Sequence, residues 1–347
     1  MKKVLAVLAL AAGGCSSGGG DAGSQSEYVS TPLPAGGLGL YVEGQLAERR
    51  GNEGRAAQLY QDAANADGSL VLVNRRLGEI ARQQNDLDRA EQWFGRYVDR
   101  DPNDAQGHFD LAETVEAAGR PEEALEAYER GLNFSRTDYD GNLGAGRVLL
   151  ALDRTAEAEP YLRTAAEVNP NSGEARRLLG DTLDALGQLD EAAAAYARAV
   201  ELLPPGDENR YALLLSAGLN ASKRGATQEG LDLLAQAEQL RPGDVEASLA
   251  SGLALAAEGE RQRRDGDNDA ARESFQTAVD RFETVTAAEP NNVRALNAKG
   301  SSLLRLWDLG GRIDSSLVQG AVEAWRASLD ADPDQPAVEA VVDRYGQ

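Results

Sequence analysis

Few side chains in this sequence have the types and spacing that catalysis or metal binding requires. Its 347 residues include one histidine, His108, and one cysteine, Cys15. A general base at His108 needs an acid or nucleophile oriented beside it, and no second histidine or neighbouring thiol supplies one, so His108 reads as a half-buried packing residue. Asp265, Asp267 and Asp269 alternate like the first half of a calcium loop. The sixth place, however, holds Ala270 where glycine is required and the twelfth holds Gln276 where glutamate is required, so the run reads as a turn with a helix N-cap. Gly141, Gly144 and Gly146 are ordered GxxGxG with no following Lys-Ser or Lys-Thr, which is not a phosphate loop. Glu122 and Glu123 stand where a helix should begin and need only the helix dipole to explain them. The expectation is no catalytic residue, no metal and no cofactor.

Charge narrows the partners. Lys and Arg total 35 against 57 Asp and Glu, a formal charge of −22. Such a field repels phosphate, so a nucleic-acid partner is not expected, and Arg261, Arg263 and Arg264 read as a solvated helix face. A single cysteine excludes an intramolecular disulfide framework. Helix formers dominate the composition, and the fold class to expect is all-α.

The elements that carry these residues repeat every 34 positions. Small residues fall at the eighth place of each unit: Gly44, Gly78, Ala112, Gly146, Gly180, Gly218, Gly252 and Gly300. The twentieth place is small as well, from Ala56 and Ala90 through Gly230 to Ala271 and Ala321. The twenty-fourth is large: Tyr60, Phe94, Tyr128, Leu162, Tyr196, Leu234, Phe275 and Trp325. Proline closes most units, at Pro102, Pro170, Pro204, Pro242, Pro290 and Pro333. In period and in these four positions the chain resembles the tetratricopeptide-repeat (TPR) family.

That resemblance implies a right-handed superhelical α-α solenoid of about eight helix-turn-helix units, with the large twenty-fourth side chain packing into the next unit. The units run 37–70, 71–104, 105–138, 139–172, 173–206, 211–244, 245–292 and 293–334, followed by a capping helix and tail over 335–347. Asp207 to Arg210 is an insertion. The seventh unit has a surplus of two helical turns on each helix, with Gly266 replacing Gly259 at the turn, and should project as a paired fin. In the eighth, the surplus around Trp307 to Ser316 is expected as a longer loop.

Residues 1–14 have a basic start at Lys2 and Lys3, an apolar run from Val4 to Ala12 and small residues before Cys15, the pattern of a bacterial secretory signal. The run is shorter than the ~20 residues that span a bilayer. Ala12-Gly13-Gly14-Cys15 resembles a lipobox, which implies a lipid on Cys15 and, with Ser16 next, the outer membrane. Ala12 stands where that motif usually has leucine, and the alternative is a secreted or periplasmic soluble chain with a free thiol. Residues 15–36 are rich in Gly, Ser and Pro and read as a flexible tether.

The TPR resemblance also implies a binding groove lined by the first helix of each unit. The places that face it hold Leu215, Leu219, Leu249 and Leu253, with Phe109 and Leu143 nearer the middle and Arg75, Arg147 and Arg177 among them. Arg82, Arg294 and Arg305 stand beside these. Either these residues receive a peptide, or neighbouring helices cover the leucines and local acids pair with the arginines. The carboxylate clamp of chaperone-binding relatives is absent, because Glu79 follows Arg75 and Arg147 follows Leu143 at its two places. The function to expect is a non-catalytic scaffold for other envelope proteins or peptides, held to the membrane by an N-terminal lipid. The alternative is an assembly component of a secretion, pilus or outer-membrane machine that works through its outer face, and an enzyme is the least expected.

Overall fold

A computed structural model of the chain describes residues 36–207 and 209–346; the expected signal, Cys15 and the tether up to residue 35 lie outside the described residues. Among the described residues there are seventeen α-helices and no strand. They fall into two compact units divided after Asp67. The first holds one hairpin, α1 (Gly37–Arg49) and α2 (Glu53–Ala66). In it a Cβ placed on Gly44 would stand 2.5 Å from the Tyr60 ring, so only glycine admits that crossing.

The second unit is an α-α solenoid. Its regular hairpins are α3 (Val71–Gln83) with α4 (Leu87–Arg100), α5 (Ala105–Ala117) with α6 (Pro121–Phe134), α7 (Tyr139–Ala151) with α8 (Thr155–Val168), and α9 (Gly173–Ala185) with α10 (Leu189–Leu202). Then come α11 (Arg210–Lys223) with α12 (Thr227–Leu240), α13 (Val245–Asp265) with α14 (Asn268–Ala288), and α15 (Val293–Leu309) with α16 (Ser315–Ala331). α17 (Pro336–Tyr345) closes the stack by packing on α16. Each first helix touches its hairpin partner and also the first helix of the next unit, so the first helices form a continuous row.

Local chemistry starts and stops these helices. Asp86, Asp138, Ser172, Asp244, Asp267, Asn292 and Asp314 each accept a backbone N–H of the helix that follows, satisfying a donor with no intrahelical partner. Asp267 is thus the N-cap that its spacing suggested. The turn inside a hairpin needs a left-handed residue. Gly119, Gly187 and Gly225 provide it, and Asn85 and Asp153, of the residue types that best tolerate positive φ, do so elsewhere.

The crossing between paired helices recurs through the solenoid. A Cβ on Gly78 would lie 2.8 Å from Phe94, on Gly146 2.5 Å from Leu162, on Gly180 2.7 Å from Tyr196, on Gly218 2.7 Å from Leu234, and on Gly300 2.6 Å from Trp325. The large side chain therefore packs first over the small residue of its own unit. Tyr128 additionally reaches Gly144 of the next. The seventh unit corrects the expected assignment. Gly252 lies under Phe282, and Phe275 lies over Gly259, so the crossing is made twice along one long hairpin.

Helices α13 and α14 have 21 residues each, against 13 and 14 in α3 and α4. Gly266, at φ 86°, makes the displaced turn. The projecting end is not bare on both sides. Phe275 and Val279 join Leu303, Leu306 and Trp325 in one buried cluster, because α15 and α16 are themselves lengthened to 17 residues. The surplus of the eighth unit thus becomes helix rather than loop, since the extra turns bury apolar surface against the seventh. His108 is buried, donates through Nε2 to the Pro102 carbonyl (2.9 Å) and stacks on Phe134, as a packing residue does.

Gly78→Ala should destabilise the protein by ~1–3 kcal/mol, the usual cost of overpacking. Gly95, in the middle of α4 with open space around its Cβ direction, should on substitution by alanine stabilise it by up to ~1 kcal/mol. Urea titration of the two variants measures both, and equal effects would contradict the crossing as the controlling contact.

Candidate binding surface on the first helices

The row of first helices carries most of the residues expected to meet a partner, and the structure sorts them by depth. Phe109 and Leu249 are fully buried and Leu143 is nearly so. Phe109 packs against Gly131 and Gly141, and Leu249 against Ala278, Phe282 and Ala295. These three are floor residues and do not reach the surface, because consecutive units close over them. Leu215, Leu219 and Leu253 are half-buried. The first two pack beside Leu234, Ala250 and Ala254, and the third beside Leu249, leaving an apolar strip across α11 and α13.

The arginines are committed to carboxylates. Arg75 Nε donates to Asp110 Oδ2 at 2.7 Å across from α3 to α5, and Arg82 pairs with Glu113 of α5. Arg147 on α7 binds Glu116 on α5 in a two-pronged arrangement, 2.8 and 2.9 Å, and Tyr128 donates to the same carboxylate at 2.9 Å. Arg177 pairs with Asp181 at 2.7 Å within α9, and Asp181 accepts from Tyr196 at 2.8 Å. Lys223 on α11 reaches Asp184 on α9, and Arg305 on α15 reaches Glu260 on α13. Arg294 is exposed. The acids Asp110, Glu113, Glu116, Asp181, Asp184 and Glu260 are the residues that sequence reasoning passed over. The available signal was a spacing of about one repeat, forward from Arg75 to Asp110 and from Arg82 to Glu113 and backward from Arg147 to Glu116, and a single helical turn from Arg177 to Asp181.

These pairs set the electrostatics of the surface. Hydrogen bonding to Glu116 holds the Arg147 guanidinium above its ordinary range. Burial pushes the Asp181 carboxyl up, and Arg177 and Tyr196 only partly oppose it. Burial likewise raises Glu113 despite Arg82. Tyr128 and Tyr196 are raised by burial and then by their carboxylate partners, so they remain phenols and donors. Elsewhere Arg261 pairs with Glu258 and Arg263 with Glu260, as a solvated helix face does. Among the described residues no group of three or more His, Cys, Asp or Glu side chains is placed to hold a metal ion, and no helix is long and apolar enough to cross a membrane.

Stacked helical hairpins presenting one continuous face of first helices define a repeat scaffold. The tetratricopeptide repeat profile matches residues 41–105, 75–139, 143–207 and 257–336, and the chain belongs to that family. It is similar to the TPR repeat-containing protein YpiA of Bacillus subtilis, 28% identical over 193 residues, covering 55% of this chain and 44% of that protein. It is also similar to protein O-mannosyl-transferase TMTC1 of Homo sapiens, 24% identical over 183 residues, 53% of this chain and 20% of that one. The chain thus spans less than half the length of these curated relatives. Among solved structures it resembles YrrB, described as a TPR protein with an unusual peptide-binding site (TM-score 0.50, 24% identity, 55% of this chain and 96% of that one). It likewise resembles pilF of Pseudomonas aeruginosa (TM-score 0.51, 18% identity, 60% and 93%). At these identities the likeness is one of fold.

A carboxyl whose folded pKa lies above its unfolded value adds stability below the unfolded pKa and loses it as pH rises through the folded one. Asp181 is such a group, so its charge costs stability at neutral pH. Asp181→Asn keeps an acceptor for Tyr196 and should melt no lower than wild type at pH 7. The difference should vanish as the pH falls into the ordinary aspartate range near 4, because the raised carboxyl of Asp181 takes up its proton before that range is reached. Thermal melts at the two pH values check this, and a lower Tm at pH 7 contradicts it.

Proposed function

We propose that this chain is a non-catalytic scaffold of the bacterial cell envelope, held at the outer membrane by a lipid on Cys15, that binds a peptide or protein segment of another envelope protein along its first helices. The observation that carries the binding site is the apolar strip of Leu215, Leu219 and Leu253, half-buried on a row where the arginines of α3, α7 and α9 are already paired. A segment laid there gains apolar contact without breaking an ion pair. Repeats occupy the length from residue 37 to the capping helix, and the one histidine, His108, is taken up in packing. The transferase named among the relatives shares only a fifth of its length with this chain, which supports a shared repeat region and not a shared reaction.

Leu215→Asp with Leu253→Asp should abolish recovery of the partners that wild type pulls down from detergent-solubilised envelope, with the melting temperature within a few degrees of wild type. Leu249, being buried, is unsuitable for this purpose. An unchanged set of partners in the folded double variant rejects the strip. For the anchor, Cys15→Ser should move the protein from the membrane to the soluble fraction, and retention in the membrane contradicts lipidation.

A further inference from the structure

The strip of Leu215, Leu219 and Leu253 on α11 and α13 lies toward the later end of the row of first helices, and the charges before it do not balance. The cations of the row are already matched: Arg75 with Asp110, Arg147 with Glu116, Arg177 with Asp181, and Lys223 with Asp184. Two carboxylates are left over. Asp140, in the first turn of α7, and Glu174, in the first turn of α9, enter no ion pair among the described residues. Arg176, two residues on from Glu174, is turned to the Pro170 carbonyl at 3.2 Å. The positive end of each helix favours an acid in the first turn, but it does not cancel the charge.

The fields of these two acids reach the row itself. Arg147, held above its ordinary range first by its hydrogen bonds to Glu116, is raised further by Glu174. Glu113, raised by burial and by Asp110, is raised further by Asp140. Both acids therefore stand beside the ion pairs of α5 and α7, where another carboxylate is opposed and a cation is favoured. Farther along, the same place in the repeat holds Glu246 on α13 and Arg294 on α15, both exposed and of opposite sign, so the later end is balanced. The uncompensated negative charge sits one and two repeats before the strip, on α9 and α7.

We propose that the segment received by the strip is basic as well as apolar: an extended stretch of a partner protein with aliphatic side chains over α11 and α13 and Lys or Arg over α9 and α7. This rests on the strip as the binding site and specifies the chemistry of what binds there. Helices packed side by side lie about 10 Å apart, and an extended chain covers that distance in about three residues. The basic residues therefore fall about three and six places from the aliphatic one seated on α11. Glu174 is half-buried, so salt screens it less than a fully exposed charge. Complementary charge of this kind selects the partner more than it tightens the complex. An acidic segment is turned away at Asp140 and Glu174, and no unpaired arginine of α3, α7 or α9 is left to hold it.

The test is methyl NMR of the full chain titrated with capped decapeptides: Lys-Ser-Ser-Lys-Ser-Ser-Leu-Ser-Ser-Leu, the same with both lysines replaced by glutamine, and the same with both replaced by glutamate. Each is also run in reversed order, which covers both chain directions. In one direction the lysine peptide should saturably shift the methyl signals of Leu215, Leu219 and Leu253. It should bind about fivefold or more tighter than the glutamine peptide at about 20 mM salt, with the gap closing at about 500 mM. The glutamate peptide should bind weakest. Asp140→Asn with Glu174→Gln should bring the lysine peptide to the level of the glutamine one. Glu122→Gln with Glu229→Gln removes two charges from the first turns of α6 and α12 instead, and should leave its affinity within about twofold. Equal affinity of all three peptides, with the leucine methyls shifted, would keep the strip and overturn the basic partner. Equal losses in the two double variants would reduce the preference to net charge and overturn it as well. No saturable shift from any peptide would overturn the strip and the basic partner together.

Discussion

The solenoid depends on the close crossing of two helices within each hairpin, where a glycine, or Ala112 in the third unit, lies beneath a large side chain. Backbones that approach this closely let Phe94, Leu162, Tyr196, Leu234 or Trp325 lie over the facing helix instead of pushing it away. Each hairpin then offers a flat apolar face, and that face is covered only by the next hairpin. Stacking, the row of first helices and the seams between second helices all follow from this one contact. The longest hairpin makes the contact twice, at Gly252 with Phe282 and at Gly259 with Phe275.

Charge is arranged on top of that packing. The chain has far more acid than base, yet its inner arginines are bound to carboxylates of the same or a neighbouring first helix, at Asp110, Glu113, Glu116 and Asp181. Exposed pairs of this kind contribute little to stability singly. Their consequence is to fix side chains along the row, so that the cations are not free to grip an acidic ligand. What remains uncharged for recognition on that face is the strip at Leu215, Leu219 and Leu253.

The departures from regularity lie together in the later units. Arg210, the last residue of the insertion after α10, donates to the carbonyls of Val200 and Leu203 and so caps that helix. The lengthened α13 and α14 follow. The earlier hairpins are sealed on their outer side by Arg120 and Glu91 or by Tyr161 and Glu129. A regular stack leading into an irregular one places the distinctive surfaces of this chain in its later half.

Much of the fold was legible in the sequence. The small residue at the eighth place, the large one at the twenty-fourth and proline at the close of most units determine hairpins of known length, since steric exclusion at a crossing and the missing proline N–H act locally. Helix lengthening in the seventh unit was legible too, because Gly266 is the residue that can make the displaced turn. Depth was not legible. Phe109, Leu143 and Leu249 occupy places that face the groove by period, but neighbouring units close over them, and burial is a property of the stack rather than of one helix. The fate of the eighth unit's surplus and the pairing of Arg147 with Glu116 likewise required two or three units in contact. Short-range sterics belong to the sequence alone. Which side chains are left uncovered is decided only when the hairpins pack.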